Sequence, residues 1–372
     1  MKKLGLLALA GLSALGLASC GGGADKLVIL NWGDYISEEV VEAFEAEYGV
    51  EVDVVTTDSN EQMYTNVLNR MAEYDLVVPS DYMIHQMYEN DLLLELDYTK
   101  LTNYKDDIFV SELQGLMDSA DCKVYEGYYV PYFWGSLGIM YNKNKAGVEE
   151  AVKANGWDVL FNHSLLPSGS KVAMYASSRD ALAAAELKYG YSLNTTDTKK
   201  IDECMNLLKN TTFDQWGTDD LKTKVSQGNI DVALVYSGDF FDAYYSDVEA
   251  DPENVKNYSI YAPTASNNVF FDGLVIPVTC TDVDMSHNFI NFMIAHENSY
   301  TNAEFVGYCP TVQSVYDEIL ADEEGWGDII AIDAYNPALI VNTEGSKAEV
   351  YKYLGTETYA YIEDKYTEVI IR

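Results

Sequence analysis

The sequence predicts an α/β protein made of two doubly wound lobes that are joined by crossing strands. Between residues 27 and 79, short apolar runs alternate with amphipathic runs in the order β-α-β-α-β, which is the signature of a parallel sheet with helices on both faces. The alternation resumes after the middle of the 372-residue chain, and no low-complexity linker separates the two parts. A chain of this length favours two domains, each with its own core.

The first part of the chain has clear helix boundaries. Ser37 opens a helix with acids in its first turn, where the helix dipole favours negative charge, and Gly49 ends it. A capping box at Ser59 begins a second helix, which we expect to run through Met71. The strands around these helices are predicted at residues 27–30, 50–55 and 75–79.

The second part of the chain carries further strands and helices. A helix over residues 178–189 is ended by Gly190, and residues 346–371 read as a helical tail that is rich in tyrosine. The apolar run at residues 230–236 gives the strongest pattern of a buried strand. Other strands are predicted at residues 137–141, 171–175 and 270–278.

The N-terminus has the layout of a secretory signal over residues 1–19. A short positive start precedes an apolar run, and small residues close it before Cys20. The ending resembles the lipobox of bacterial lipoproteins, which implies cleavage before Cys20, a lipid on its sulfur and a flexible tether over residues 20–26. The alternative is an ordinary signal peptide with a chance cysteine. We therefore expect an extracytoplasmic protein, lipid-anchored to the outer face of the cytoplasmic membrane or in the periplasm.

The charge balance limits the classes of partner. The formal charge is −37, from 23 basic and 60 acidic residues, so nucleic acid, which is itself polyanionic, is an unfavourable partner. Cationic solutes would be attracted, although solubility alone explains many surface carboxylates. After the signal, no apolar run is long enough to cross a bilayer, so the lipid on Cys20 is the expected membrane attachment.

The cysteines and histidines predict neither a metal ion nor a cofactor. None of the cysteines after the signal forms a C-x-x-C pair, the histidines show no metal-binding spacing, and we expect surface or capping roles for the histidines. Disulfides are feasible in an exported protein, but the sequence does not pair them. The residues concerned are Cys122, Cys204, Cys280, Cys309, His85, His163, His287 and His296.

Four clusters place an aromatic residue beside a carboxylate just after a predicted strand. They lie at residues 31–35, 80–82, 236–240 and 270–273. Ligands of open α/β sheets bind at the carboxyl ends of the strands. A carboxylate forms a charge-assisted hydrogen bond with an ammonium group, and an aromatic face attracts the same cation. Such a pocket suits a linear diamine or polyamine.

Each cluster also has a purely structural explanation. Trp32 and Tyr35 could belong to the core, and Asp81 could cap a helix. Asp239 could cap a helix that begins at the next residue. Asp272 is harder to explain in this way, because a buried carboxylate in an apolar segment needs a partner.

Several motifs resemble those of bacterial spermidine/putrescine-binding proteins, in order along residues 27–310. They are LNWGDY (30–35), DSNE (58–61), YDLVVPS (74–80), KLTN (100–103), PYFWG (131–135), YGY with NTT (189–196) and GY (307–308). The resemblance implies the type II periplasmic-binding fold, in which two lobes close on a ligand in the cleft between them. It places lobe 1 at residues 27–135 and about 272–310, and lobe 2 at residues 136–271 and about 311–372.

The resemblance also implies a set of ligand-binding residues. These are Trp32, Asp34, Tyr35, Ser80, Tyr82, Asp180, Tyr236, Asp239, Phe270, Asp272 and Tyr308. Two positions depart from the family pattern, because Ser177 stands where a second acid is common and a polar residue near the C-terminus has no counterpart. Asp239 and Asp34 are typical of putrescine-type members and Tyr82 of spermidine-type members, so the preferred amine stays open.

The implied function is that of a monomeric solute receptor, not of an enzyme. The protein would capture a protonated polyamine, putrescine or spermidine, and deliver it to the permease of an ATP-driven (ABC) importer. One alternative keeps the fold and changes the ligand to a sugar or a metal complex. Another is a secreted glycoside hydrolase that uses two of the carboxylates, although no spacing selects such a pair.

Overall fold

The computed structural model describes residues 26–105, 107–251 and 253–371. The predicted signal, the lipid on Cys20 and the tether up to residue 25 lie outside these residues. The described strands are β1 (Lys26–Asn31), β2 (Glu51–Thr56), β3 (Leu76–Val77), β4 (Val130–Asn142), β5 (Val172–Tyr175), β6 (Gln215–Gly217), β7 (Val232–Tyr236), β8 (Tyr258–Tyr261), β9 (Ser266–Leu274), β10 (Cys309–Pro310) and β11 (Lys347–Glu349).

Helices cover both sheets and complete the chain. The α-helices are α1 (Glu38–Tyr48), α2 (Asn60–Leu68), α3 (Asp81–Glu89), α4 (Ser111–Met117), α5 (Val148–Asn155), α6 (Ser178–Tyr189), α7 (Thr198–Asn210), α8 (Asp220–Ser226), α9 (Ser237–Ala250), α10 (Val283–Met293), α11 (His296–Val306), α12 (Gln313–Ala321), α13 (Gly327–Ile330), α14 (Ala338–Asn342) and α15 (Thr356–Ile370). Short 3₁₀ turns lie at Tyr98–Lys100, Lys123–Tyr125, Gly156–Leu160, His163–Leu165, Asn254–Asn257 and Asp333–Tyr335.

The first sheet confirms the β-α-β-α-β prediction. Its described strands pair in the order β2-β1-β3, and both pairings are parallel. β3 is shorter than predicted, because the Asp75 side chain takes over part of the ladder: its Oδ2 accepts a hydrogen bond from the backbone N–H of Val28. The second helix ends at Leu68, not at Met71, since Asn69 and Arg70 already lie in a turn.

The second sheet contains both parallel and antiparallel pairings. Its described strands run in the order β11-β9-β4-β7-β5-β6, and β4 is antiparallel to β7, β8 and β9. The strand predicted at residues 270–278 is β9 and lies four residues earlier, at Ser266–Leu274. The prediction extended to residue 278 because the residues after Leu274 are apolar. In the structure these residues are buried without forming a strand, beside the first sheet, where Val77 and Val275 form a bridge.

β4 connects the two halves of the molecule. All 13 of its residues are buried, although the sequence predicted only 137–141. Its first half pairs with β9 and β10, and its second half with β7 and β8. The sequence pattern did not predict the first half, because Pro131 and Gly135 are unusual in strands. At Gly135 the absence of a Cβ leaves room for the Phe270 ring, since a Cβ there would lie 2.8 Å from a ring atom.

Two further predictions are corrected in the fold. Residues 346–371 are not one helix, because β11 comes first and Gly355, with a φ of 80°, stands just before α15. His287 is buried, not at the surface: its Nε2 accepts from the Asp97 N–H and its Nδ1 faces the Val283 carbonyl. It ties α10 to the loop after α3.

Within the described residues, the thiols and the carboxylates form no cross-link or metal cluster. Cys122, Cys204, Cys280 and Cys309 are free thiols. No group of His, Cys, Asp and Glu among these residues is arranged to hold a metal ion. No helix in the described part of the chain has the length and apolar character needed to cross a bilayer.

Candidate functional site

A cavity of about 420 Å³ lies where the two sheets face each other. It is lined by the turn after β1, the start of α3, the starts of α6 and α9, and the middle of β9. All eleven residues singled out from the sequence line it: Trp32, Asp34, Tyr35, Ser80, Tyr82, Asp180, Tyr236, Asp239, Phe270, Asp272 and Tyr308. The chain therefore brings together residues that are up to 276 positions apart.

The turn after β1 presents its aromatic residues to the cavity. The Trp32 indole N–H donates to the Val78 carbonyl at 2.8 Å, which holds the half-buried ring at the cavity wall. Tyr35 is buried, and its hydroxyl donates to Asp272 Oδ2 at 2.6 Å. Asp34 stands between them with a φ of 52°, a left-handed conformation that an aspartate tolerates better than most residues. Trp32 and Tyr35 are therefore both core-packed and cavity-lining.

The second cluster divides at Asp81. Ser80 is the N-cap residue of α3, and Ser80 and Tyr82 line the cavity. Asp81 is buried away from it, and its Oδ1 accepts from the adjacent Tyr82 N–H. The Tyr82 hydroxyl donates to Glu61 Oε1 at 2.9 Å. The capping prediction for Asp81 is wrong, because Ser80 holds the cap position.

Asp272 is a buried carboxylate held by hydroxyl groups. It is 5% exposed and lies opposite Ser80 in a β-bridge. Burial raises its pKa to about 6, while hydrogen bonds from Tyr35 and Ser80 lower it. No lysine or arginine is among its hydrogen-bond or ion-pair partners in the described residues. A cation in the cavity would complete its set of partners.

Asp180, in the first turn of α6, has a similar environment. Its Oδ1 accepts from the hydroxyls of Tyr236 at 2.7 Å and Tyr351 at 3.1 Å. Burial raises its pKa, and hydrogen bonds from these hydroxyls and from Ser177 oppose the rise. Ser177 is the N-cap of α6, and its hydroxyl accepts from the Asp180 N–H at 3.3 Å. A capping serine therefore stands at the position for which the resemblance implies a second acid.

Asp239 both caps a helix and faces the cavity. α9 begins at Ser237, earlier than the predicted start, which places Asp239 at its third position. Asp239 Oδ2 accepts from the Tyr236 N–H at 3.1 Å, and its Oδ1 accepts from the Tyr308 hydroxyl at 3.3 Å. Burial and the neighbouring Asp219 raise its pKa to about 7, against the effect of Lys222.

Aromatic rings connect these acids into a continuous wall. Ring centroids lie 5.1 Å apart for Tyr35 and Tyr308, 6.2 Å for Tyr308 and Phe270, and 5.0 Å for Phe270 and Tyr236. Gly238 makes room for the Tyr308 ring, because a Cβ there would lie 1.8 Å from the ring. The wall therefore depends on a glycine in the first turn of α9.

Sequence reasoning missed several lining residues. They are Glu61, Tyr175, Asp219, Lys222, Asp242, Tyr351, Glu363 and Tyr366. Glu61 lay within a quoted motif and could have been found. α8 and the segment after β11 carry no strand-end signal, so Lys222 and Tyr351 were visible only in three dimensions. Tyr351, bonded to Asp180, supplies a polar group near the C-terminus.

The charge of the lining is strongly negative. Nine carboxylate side chains and one lysine line the cavity among the described residues. The carboxylates are Asp34, Asp58, Glu61, Asp180, Asp219, Asp239, Asp242, Asp272 and Glu363. Low-dielectric walls focus such a field, so the site favours cations.

Known proteins resemble the chain over most of its length. It is 29% identical over 305 residues to the putrescine-binding periplasmic protein SpuD of Pseudomonas aeruginosa, covering 80% of this chain and 82% of the relative. It is 27% identical over 319 residues to the spermidine/putrescine-binding periplasmic protein of Escherichia coli, covering 84% and 85%.

A solved structure gives the same picture. The spermidine/putrescine ABC transporter substrate-binding protein PotD of Streptococcus pneumoniae is 31% identical, with a TM-score of 0.72 over 93% of this chain and 98% of that one. The structural relatives have the type II periplasmic-binding fold with two lobes. The family profile of bacterial extracellular solute-binding proteins matches residues 39–327. The chain therefore belongs to the bacterial extracellular solute-binding protein family, with an α/β fold of two lobes around a ligand cleft.

Proposed function

We propose that the protein captures a protonated polyamine in its acidic, aromatic cavity and delivers it to an ABC import permease. The observation that carries the proposal is the pairing of buried carboxylates with aromatic rings in one cavity. Asp180, Asp239 and Asp272 are each 4–6% exposed, and rings separate them. The names of the relatives, which bind putrescine or spermidine, support the same ligand class.

The spacing of acids and rings suits a linear chain of amines and methylenes. Each ammonium group would pair with a carboxylate, since a buried ammonium without one is strongly disfavoured. The methylenes would lie against Tyr236, Phe270 and Tyr308, where burial is favourable at about 25 cal/mol per Å². A neutral sugar would leave the carboxylates without a counter-charge, so this site favours an amine over a sugar.

We assign roles to the eleven lining residues predicted from the sequence on the same basis. Asp34, Asp180, Asp239 and Asp272 would neutralise ammonium groups, and Ser80 would orient Asp272. Walls would be formed by Trp32, Tyr35, Tyr82, Tyr236, Phe270 and Tyr308. We further propose a binding role for Tyr351, because its hydroxyl already contacts Asp180.

Closure of two lobes would complete the site. We keep the lobe boundaries at residues 135/136, about 271/272 and about 310/311. The long strands β4 and β9, which pair at the first two boundaries, would act as the hinge. Binding that favours the closed state would shift the population toward it, and the permease would recognise that state. The receptor would act as a monomer outside the cytoplasm, tethered through a lipid on Cys20, with no catalytic step.

A thermal-shift panel tests the ligand class. Putrescine, spermidine and spermine should raise the melting temperature, since a ligand at about 100 times its Kd adds roughly 2.7 kcal/mol of stability. 1,4-Butanediol, which has the length of putrescine without its charges, is the matched control and should give no shift. A shift with maltose or ferric citrate and none with the amines would contradict the proposal, as would turnover of aryl glycosides.

A further inference from the structure

Lys222 is the only lysine or arginine among the described residues that line the cavity. Lys222 extends from α8, and its Nζ lies 2.7 Å from Asp242 Oδ2. The lysine side chain is 17% exposed, and that of Asp242 is 27% exposed. A primary ammonium on a methylene stem therefore already occupies one end of a site whose proposed ligands are primary ammoniums on methylene stems.

Three carboxylates act on this ammonium, Asp242 by direct contact and the other two by charge interaction at longer range. They are Asp219, Asp239 and Asp242, which together with Lys222 we name the Lys222 cluster. Burial lowers the pKa of Lys222, but the three acids raise it well above the usual lysine value, so the side chain is charged. In return, Lys222 lowers the pKa of Asp239 against burial and the nearby Asp219. The cluster has three acids and one internal counter-ion.

Among the described residues, the rest of the cavity lining contains no such counter-ion. Asp180 and Asp272 accept hydrogen bonds from hydroxyl groups, which orient a carboxylate without cancelling its charge. Arg179, next to Asp180 in the chain, is outside the lining, and its guanidinium lies over the Tyr351 ring at 4.6 Å. An ammonium that approaches Asp180 or Asp272 therefore meets no lysine or arginine of the described lining there. An ammonium that approaches Asp239 meets Lys222.

We propose that Lys222 is a specificity-determining residue. Its charge repels a further ligand ammonium from the part of the site near Asp239, and the site therefore favours short diamines over longer polyamines. The proposal rests on the proposed polyamine function. A like charge close to a bound ammonium opposes its binding, and more strongly in a low-dielectric cavity than in water. We expect the charge of Lys222 to lower the affinity for the longer amines at least about fivefold.

Isothermal titration of the purified protein with putrescine, spermidine and spermine tests the assignment. Lys222→Met should strengthen spermidine and spermine binding relative to putrescine by tenfold or more, since the cluster then accepts a ligand ammonium. Lys222→Arg keeps the charge and should keep the wild-type ranking. Lys224→Met is the matched control, because Lys224 lies on the same helix and pairs with Asp220 outside the cavity.

A second variant covers the case in which Lys222→Met does not fold. Asp242→Asn removes one acid of the cluster and frees Lys222 to face Asp239, so it should weaken the longer amines more than putrescine. Equal changes for all three amines in both variants, or none, would overturn the specificity role. A wild-type protein that binds none of the amines would instead refute the proposed function, so the two failures are distinguishable.

Discussion

Asp180 and Asp239 lie in the same cavity, both near the start of a helix, but their partners differ in kind. Asp180 is held by hydroxyl groups of Tyr236 and Tyr351, which are neutral. Asp239 faces Lys222 and Asp219 as well as the Tyr308 hydroxyl. Neutral donors fix the position of a carboxylate and leave its negative charge to attract a ligand cation. A neighbouring lysine instead neutralises part of that charge. Two acids with equal burial can therefore contribute unequally to the binding of a cation.

A change of pH should have the largest effect on polyamine affinity. Folding raises the pKa of Asp239 to about 7 and that of Asp272 to about 6, and each group must be ionised before it pairs with an ammonium. Polyamine affinity should therefore rise about a thousandfold from about pH 5 to about pH 8, roughly a hundredfold from Asp239 and tenfold from Asp272, as measured by isothermal titration at constant ionic strength. A flat profile would mean that neither acid carries the binding.

The same shifts give the stability of the free protein the opposite slope. A carboxyl with a raised folded pKa binds more protons folded than unfolded, so its contribution is greatest at low pH and is lost as pH rises through the folded value. Asp239 and Asp272 should thus lower the stability of the ligand-free protein from about pH 4 to about pH 7. Denaturant melts with and without putrescine would separate the two trends.

Removal of one hydroxyl-held carboxylate should have the next largest effect on affinity. Asp272→Asn keeps the size of the side chain but leaves a ligand ammonium without its counter-charge, so polyamine affinity should fall tenfold or more, about 1.4 kcal/mol or greater. Asp247→Asn is a matched control, because Asp247 also accepts from a tyrosine hydroxyl, that of Tyr258 at 2.7 Å, but outside the cavity. Wild-type affinity in Asp272→Asn would refute the role.

A methyl group at Gly238 should disturb the surroundings of Asp239 and leave those of Asp180 unchanged. The new Cβ would collide with the Tyr308 ring, and the ring would move away from Asp239 and Tyr35. We expect about a fivefold loss of affinity, in line with about 1 kcal/mol for a displaced aromatic contact and hydrogen bond. Gly115→Ala, which meets nothing within 4 Å, should bind normally. Unchanged binding in Gly238→Ala would show that the Tyr308 ring is not a wall of the site.

The smallest expected change in affinity comes from removing the Tyr236 hydroxyl, which donates to Asp180. Tyr236→Phe keeps the ring beside Phe270 and removes the donor to Asp180 Oδ1. Affinity should fall about threefold, at the low end for the loss of a hydrogen bond, because the Tyr351 hydroxyl still donates to Asp180 Oδ1. The matched change Tyr258→Phe removes the hydroxyl bonded to Asp247 and should leave affinity unchanged. Equal binding losses in both variants would point to a general loss of stability.

What the sequence could predict depended on whether the signal was local. The acids and rings after β1, β3, β7 and within β9 stood out because each follows or interrupts an apolar run, and most of them line the cavity, although Asp81 does not. The antiparallel pairing of β4 with β9 joins residues more than 130 positions apart, and no local periodicity encodes it. Lys222 is equally invisible, because α8 is a short polar helix whose role comes only from the elements that it faces.

The most direct test of the central claim is an isothermal titration of the protein, from Gly21 onward, with putrescine, spermidine and spermine. We expect one saturable site at micromolar affinity or tighter, with putrescine favoured and affinity rising with pH. No heat with any of the three amines would contradict it, and the acidic, aromatic cavity would then serve a ligand of another class.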